Sequence, residues 1–160
     1  MAVRNFGLKT GACKTSICDF ETNSCGWTSD DSSSGYTFRL TSARLTSFKR
    51  DHTSRSPYGH VAYLKGGHSG SVAHFTSPRL SHLQNQCFKF WFLRNGTGVD
   101  LKLLQYRIKI NKYYTLWQSN ANHLTNEWIR VQQSIDINDP AKLIIEARKK
   151  GICKTNNTVH

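Results

Sequence analysis

The sequence predicts an all-β fold of the sandwich or jelly-roll type. Short runs in which apolar and polar residues alternate recur along the 160-residue chain, and no segment shows a sustained helical period. Turn-rich stretches of Ser, Asn, Gly and Asp separate these runs, and this spacing favours a sandwich over a parallel sheet. The length suits one domain, and the 8 Phe, 6 Tyr and 4 Trp residues exclude a disordered chain.

Four strands are predicted in the first 95 residues. The run Phe88-Lys-Phe-Trp-Phe-Leu93 is the densest in aromatic residues, which indicates a core strand buried on both faces. Pro78 ends the strand that precedes it, because a central strand does not accommodate proline. The four predicted strands are 36–40, 61–64, 72–75 and 88–93.

The next predicted strand changes parity along its length. Leu101 and Leu103 share one parity, whereas the apolar residues from Leu104 to Ile110 share the other. One extra residue near 103–104 would restore a single inward face, so a β-bulge is predicted there. Asn138-Asp-Pro140 is a strong turn signal before the last strand. The remaining predicted strands are 115–117, 128–132 and 142–147.

The charge balance points to anionic partners. Against 10 Asp and Glu the chain carries 22 Lys and Arg, which gives a net charge of +12. A field of this size attracts sulfated glycans and acidic proteins, and the alternative is a solvated surface that keeps the protein in solution. Nucleic acid is disfavoured as a partner, because the aromatic residues fit a core rather than exposed stacking platforms.

The basic residues form clusters along the sequence. With the predicted bulge counted, Lys102 shares the outward face with Arg107 and Lys109. We therefore predict a basic binding surface. It comprises Lys102, Arg107, Lys109, Lys112, Arg39 and Arg44.

Cysteines and glycosylation signals favour an extracellular protein, secreted or part of an ectodomain. None of the five cysteines forms a Cys-x-x-Cys pair, which argues against a zinc finger or a thioredoxin-like site. The sequons at Asn95 and Asn156 permit N-glycosylation. No apolar stretch approaches the roughly 20 residues of a spanning helix, so a membrane association would use a tether outside this sequence.

The ordered motifs of the chain resemble those of a MAM domain, the family named after meprin, neuropilin and receptor-type tyrosine phosphatase mu. Cys18-Asp-Phe-Glu21 and Cys25-Gly-Trp27 resemble its opening signature, and Asp51-His-Thr53 its central motif. Cys87-Phe-Lys-Phe-Trp91 and Ile145-Glu-Ala147 follow in the family's order. Weaker matches lie at 59–63, 70–73, 76–78, 116–117 and 128, so the resemblance covers about residues 18–151.

The resemblance implies a jelly-roll sandwich of two antiparallel sheets that acts as an extracellular adhesion or docking module. The partners of such a module would be proteins, homophilic or heterophilic. The resemblance implies no catalysis, and the sequence contains no Gly-x-Ser-x-Gly or His-Glu-x-x-His motif. The alternative is a jelly-roll carbohydrate-binding domain for anionic glycans. The predicted domain is 18–160, after an N-terminal extension of 1–17, and it lacks the family's acidic closing strand.

The resemblance also implies disulfides and a cation. It pairs Cys18 with Cys25, and it gives Cys87 a late partner, for which Cys153 is the candidate and Cys13 the rival. No cofactor is required, but a structural Ca²⁺ or other cation would recruit Glu21 and Asp51. Two carboxylates make a poor cage for an ion that takes six to eight oxygens, and the alternative is that they cap turns and pair with arginines.

Overall fold

The chain folds into two antiparallel sheets that share one hydrophobic core, as the sequence predicts. The computed structural model describes residues 1–9, 15–30, 35–95, 98–119 and 125–151. The strands in these ranges are β1 (Ala2–Lys9), β2 (Thr15–Cys18), β3 (Thr28–Ser29), β4 (Arg39–Ser42), β5 (His60–Tyr63), β6 (Val72–Thr76), β7 (Leu83–Arg94), β8 (Val99–Arg107), β9 (Lys112–Gln118), β10 (Thr125–Ile137) and β11 (Ala141–Lys149). A single 3₁₀ turn, Ala43–Leu45, follows β4.

Non-consecutive strands lie side by side in both sheets, which is the jelly-roll pattern of crossing connections. One sheet has the order β10-β7-β1-β5-β4, with β2 paired to β1, and the other has the order β3-β6-β11-β8-β9. Every strand pair is antiparallel. No helix in the described ranges is long and apolar enough to cross a membrane.

The core fills the space between the sheets with aromatic and branched side chains. On β7, Phe88, Phe90 and Phe92 alternate with half-buried Lys89 and Trp91, so only one face of this strand is fully buried. This corrects the prediction that it is buried on both faces. The indole of Trp27 packs between two rings, 5.4 Å from that of Phe75 and 5.9 Å from that of Phe88.

The N-terminal segment is a central strand and not an extension. Val3 pairs with Phe92 of β7 on one side of β1 and with Ala62 of β5 on the other. Ala2 and Val3 are fully buried. The prediction that residues 1–17 precede the domain is therefore wrong for β1. Removal of β1 would leave β7 and β5 without the strand that lies between them.

The predicted bulge exists, but its extra residue lies on the neighbouring strand. Leu103 pairs with Trp117 and Leu104 with Thr115, so Leu116 of β9 is the bulged residue. Because β8 runs against β11 without a register shift, its side chains alternate strictly. Lys102 and Arg107 therefore point to opposite faces, and the prediction that they share one face is wrong.

The outer face of the five-stranded sheet carries a cluster of ionisable side chains. The His74 Nε2 lies 3.0 Å from the Glu146 Oε2, and its Nδ1 lies 3.5 Å from the Asp30 Oδ2. The hydrogen bond to Glu146 raises the pKa of His74 above its ordinary 6.5, against the effect of burial and with help from Asp30. The same hydrogen bond, with the nearby charges of Arg148 and Lys102, lowers the pKa of Glu146.

This cluster predicts a pH-dependent stability. Because the folded-state pKa of His74 is raised, its contribution is complete below pH 6.5 and is lost as pH rises through the folded value. His74→Gln should lower Tm by about 1–3 °C at pH 5.5 and by less at pH 8.5. Thermal unfolding at the two pH values measures this, with His68→Gln at an exposed turn as the control. An equal effect of His74→Gln at both pH values would contradict the assignment.

Candidate interaction surfaces

The segment between β4 and β5 folds over the outer face of the six-stranded sheet. Residues 43–59 carry the Asp51-His52 motif, and the His52 ring stacks on the Trp91 ring of β7 at a centroid distance of 3.8 Å. Trp91 is the register partner of Arg4 on β1, so both lie on this covered face. The loop therefore buries a charged residue on a face that would otherwise meet solvent.

The structure brings the two predicted cation ligands together around the guanidinium of Arg4. Its Nη1 donates to the Asp51 Oδ2 and its Nη2 to the Glu21 Oε1. The side chains of Arg4 and Asp51 are 2% and 0% exposed, whereas that of Glu21 is 39% exposed. The alternative in which these acids pair with an arginine is thus the arrangement observed.

Other protein groups also contact the oxygens of both carboxylates, and those of Asp51 most densely. Asp51 accepts from the backbone N–H groups of Thr53, Ser54 and Ser56 and from the Ser54 hydroxyl, at 2.7–3.1 Å. Glu21 contacts the backbone N–H of His60 at 3.2 Å and its Nδ1 at 3.1 Å. A calcium ion is bound by six to eight oxygens whose lone pairs point at it. The Asp51 oxygens already accept hydrogen bonds from these protein groups, so the site does not fit a calcium ion.

The electrostatics agree with two ionised carboxylates. Burial acts to raise the pKa of Asp51, but the hydrogen bonds from Ser54 and Ser56 and the charge of Arg4 lower it overall. Burial likewise acts to raise the pKa of Glu21, and contacts with His60 and Arg4 bring it below its ordinary value. No cluster of three or more His, Cys, Asp or Glu in the described ranges could hold a metal ion.

The predicted basic surface divides into three parts: the β8–β9 hairpin, Lys102 on the outer face of the same sheet, and a region at β4. Lys109 lies in the β8–β9 turn, next to Arg107 and Lys112, while Lys102 projects from the outer face beside Glu146. The Arg107 guanidinium lies 4.7 Å from the Tyr114 ring centroid and the Lys112 Nζ 5.5 Å from it. The part that we call the hairpin patch is Arg107, Lys109 and Lys112.

Arg39 and Arg44 belong to the third part, at β4. This strand is the last of the six-stranded sheet and pairs only with β5 in the described ranges. A groove of about 520 Å³ runs along it, and we call it the β4 groove. Its wall includes Arg39, Leu40 and Thr41 of β4, with Leu45, Tyr63 and Lys65.

Exposed apolar side chains lie in and beside the β4 groove. Leu45 is 68% exposed and Tyr58, beyond the wall, is 69% exposed. The Arg44 guanidinium lies 5.9 Å from the Tyr58 ring centroid. Sequence reasoning missed Leu45, Tyr58 and Lys65, although an aromatic residue in the turn-rich run 54–59 was a usable signal of exposure.

The cysteines and sequons agree in part with their predicted roles. Cys18 and Cys25 form a disulfide with a Cα–Cα distance of 6.0 Å, as predicted. Cys87 forms no disulfide with any described residue, and its candidate partners Cys13 and Cys153 lie outside the described residues. Asn95 is exposed at the end of β7, and Asn156 also lies outside the described residues.

Comparison with known protein families gives one match that spans nearly the whole chain. The model of the MAM domain, described as meprin/A5/mu, matches residues 18–157. The match includes the Cys18–Cys25 disulfide, the Asp51-His52 motif and every strand from β3 to β11. The chain therefore belongs to the MAM domain family, whose members are extracellular adhesion and interaction modules.

Proposed function

We propose that this MAM domain is a non-catalytic docking module that binds an acidic, extended segment of a partner protein in the β4 groove. The observation that carries the proposal is the composition of the groove wall. Leu40, Leu45 and Tyr63 supply apolar surface, Arg39 and Lys65 supply positive charge, and no carboxylate lines the wall in the described ranges. A volume of about 520 Å³ is in the usual range of binding clefts.

The position of the groove at a sheet edge favours an extended ligand. A terminal strand such as β4 presents backbone N–H and C=O groups that a partner strand can pair with. Such pairing gives affinity without sequence preference, and the side-chain contacts add specificity. Here those contacts would be carboxylates on Arg39 and Lys65 and an apolar side chain on Leu45.

Charge favours a different protein over a second copy as the partner. In a two-fold dimer through this surface, the same patch faces itself, so the cations Arg39, Arg44 and Lys65 of one copy would lie opposite those of the other. The net charge of +12 adds long-range repulsion between copies. An acidic partner would be attracted both over long distances and in direct contact with these cations.

A sulfated glycan at the hairpin patch is the second candidate. Three cations lie within six residues there, and two of them lie against the Tyr114 ring. The neighbouring Tyr106 and Tyr113 rings stack at 4.6 Å, which stiffens the hairpin. A stiff cluster of cations loses little entropy when it binds an anion.

The docking proposal predicts the outcome of panning a random twelve-residue peptide library. The wild-type domain should select peptides that combine Asp or Glu with apolar residues. The double variant K65E/L45S should bind these peptides roughly 10-fold more weakly or worse, because it reverses a charge and removes an exposed apolar contact. Binding is measured by fluorescence anisotropy of the selected peptides.

A matched double variant at the other surface serves as the control. K109E/I110S makes the same two kinds of change at the β8–β9 turn, where Ile110 is 54% exposed, and should leave peptide binding unchanged. Equal loss in both variants, or selection of peptides without acidic residues, would contradict docking in the β4 groove. If K109E/I110S loses more retention, relative to the wild type, on a heparin column than on a cation exchanger, the result would instead support the glycan candidate.

We also propose that the protein is N-glycosylated at Asn95, in keeping with the extracellular location of the family. The exposed position of this side chain leaves room for a glycan. Expression through the secretory pathway of animal cells should give a product whose mass falls by one glycan in Asn95→Gln. Intact-mass spectrometry with and without glycosidase measures this, and Asn157→Gln, which preserves both sequons, is the control. An unchanged mass for Asn95→Gln would contradict the proposal.

A further inference from the structure

We propose that the Arg4 guanidinium is a built-in cation that replaces a bound metal ion in this domain. Glu21 and Asp51, the residues predicted to ligate a structural cation, converge on this guanidinium instead. The inference concerns how the fold is held together, so it stands independently of docking in the β4 groove.

The guanidinium connects three chain segments, as a multidentate ion can. Arg4 lies on β1, Glu21 lies inside the loop closed by the Cys18–Cys25 disulfide, and Asp51 lies in the 43–59 loop. A planar guanidinium presents donors in a fixed fork, so it can bind two carboxylates at once. One side chain thereby joins three segments that are distant in sequence.

Packing leaves Asp51 no freedom to gather further ligands. Its side chain is fully buried, and a Cβ added at Gly59 would lie 2.5 Å from the Asp51 Cγ. Five donors already point at its two oxygens, including the Nη1 of Arg4. Metal binding would require Arg4 to leave a site where its own side chain is 2% exposed.

The wild-type protein provides the first test. Its Tm should be the same within about 1 °C in millimolar CaCl₂ and in EDTA, because a ligand stabilises only the state that binds it. Terbium(III), an analogue of Ca²⁺, should give no luminescence on tryptophan excitation, although Trp91 lies beside the site. A Tm that falls in EDTA, or terbium luminescence that Asp51→Asn abolishes, would overturn the proposal.

Removing the guanidinium provides the second test. Arg4→Met keeps the length of the side chain but leaves two carboxylates without a cation, so it should lower Tm by roughly 6–20 °C. Calcium should not restore this loss, because four protein donors still point at the Asp51 oxygens. Arg4→Lys, which keeps a cation in the site, should lose less stability than Arg4→Met. The control Arg39→Met, at an exposed position, should lower Tm little.

Each result of the second test decides the matter. A large loss of stability in Arg4→Met that is smaller in Arg4→Lys shows that the two carboxylates require a cation from the protein. A folded Arg4→Met with the Tm of the wild type would overturn the proposal, because the carboxylates would then need no cation. Should Arg4→Met fail to fold, the wild-type comparison of CaCl₂ with EDTA decides alone.

Discussion

The ion pair between Arg4 and Asp51 is the constraint on which the arrangement of the six-stranded sheet depends. Both side chains are almost fully buried, and removing charges from water costs several kcal/mol per ion. This cost is offset because both carboxylate oxygens of Asp51 accept hydrogen bonds and because Glu21 adds a second carboxylate to the guanidinium. The loss of either partner would leave a buried charge, so the loop 43–59 and β1 depend on each other.

This constraint also shapes the surface that we propose for docking. The loop that carries Asp51 begins at the 3₁₀ turn containing Leu45 and ends next to Tyr58, so its attachment to the sheet places both exposed residues. The stack of His52 on Trp91 fixes the same loop at a second point. A buried electrostatic contact thus positions an exposed apolar one, which connects the stability of the fold to the surface proposed for docking.

Local pattern predicted those elements whose physics is local. The dense aromatic run 88–93 identified β7, and the resemblance of the opening motif to the family identified the Cys18–Cys25 disulfide. Strand β1 escaped prediction because Arg4 interrupts its apolar pattern, and its partner Asp51 lies 47 residues away. The β4 groove escaped because its wall joins residues from the two ends of a loop. The extra residue of the bulge was misplaced because parity in one strand cannot show which of two paired strands carries it.

A double-mutant cycle on Arg4→Met and Asp51→Asn tests the central claim most directly, since it isolates the interaction between the two side chains. Free energies of unfolding are measured for the wild type, the two single variants and the double variant. We expect the double variant to lose less stability than the sum of the single losses, by roughly 1.5 kcal/mol or more. Additivity within about 0.5 kcal/mol would show that the two residues act separately and would contradict the account.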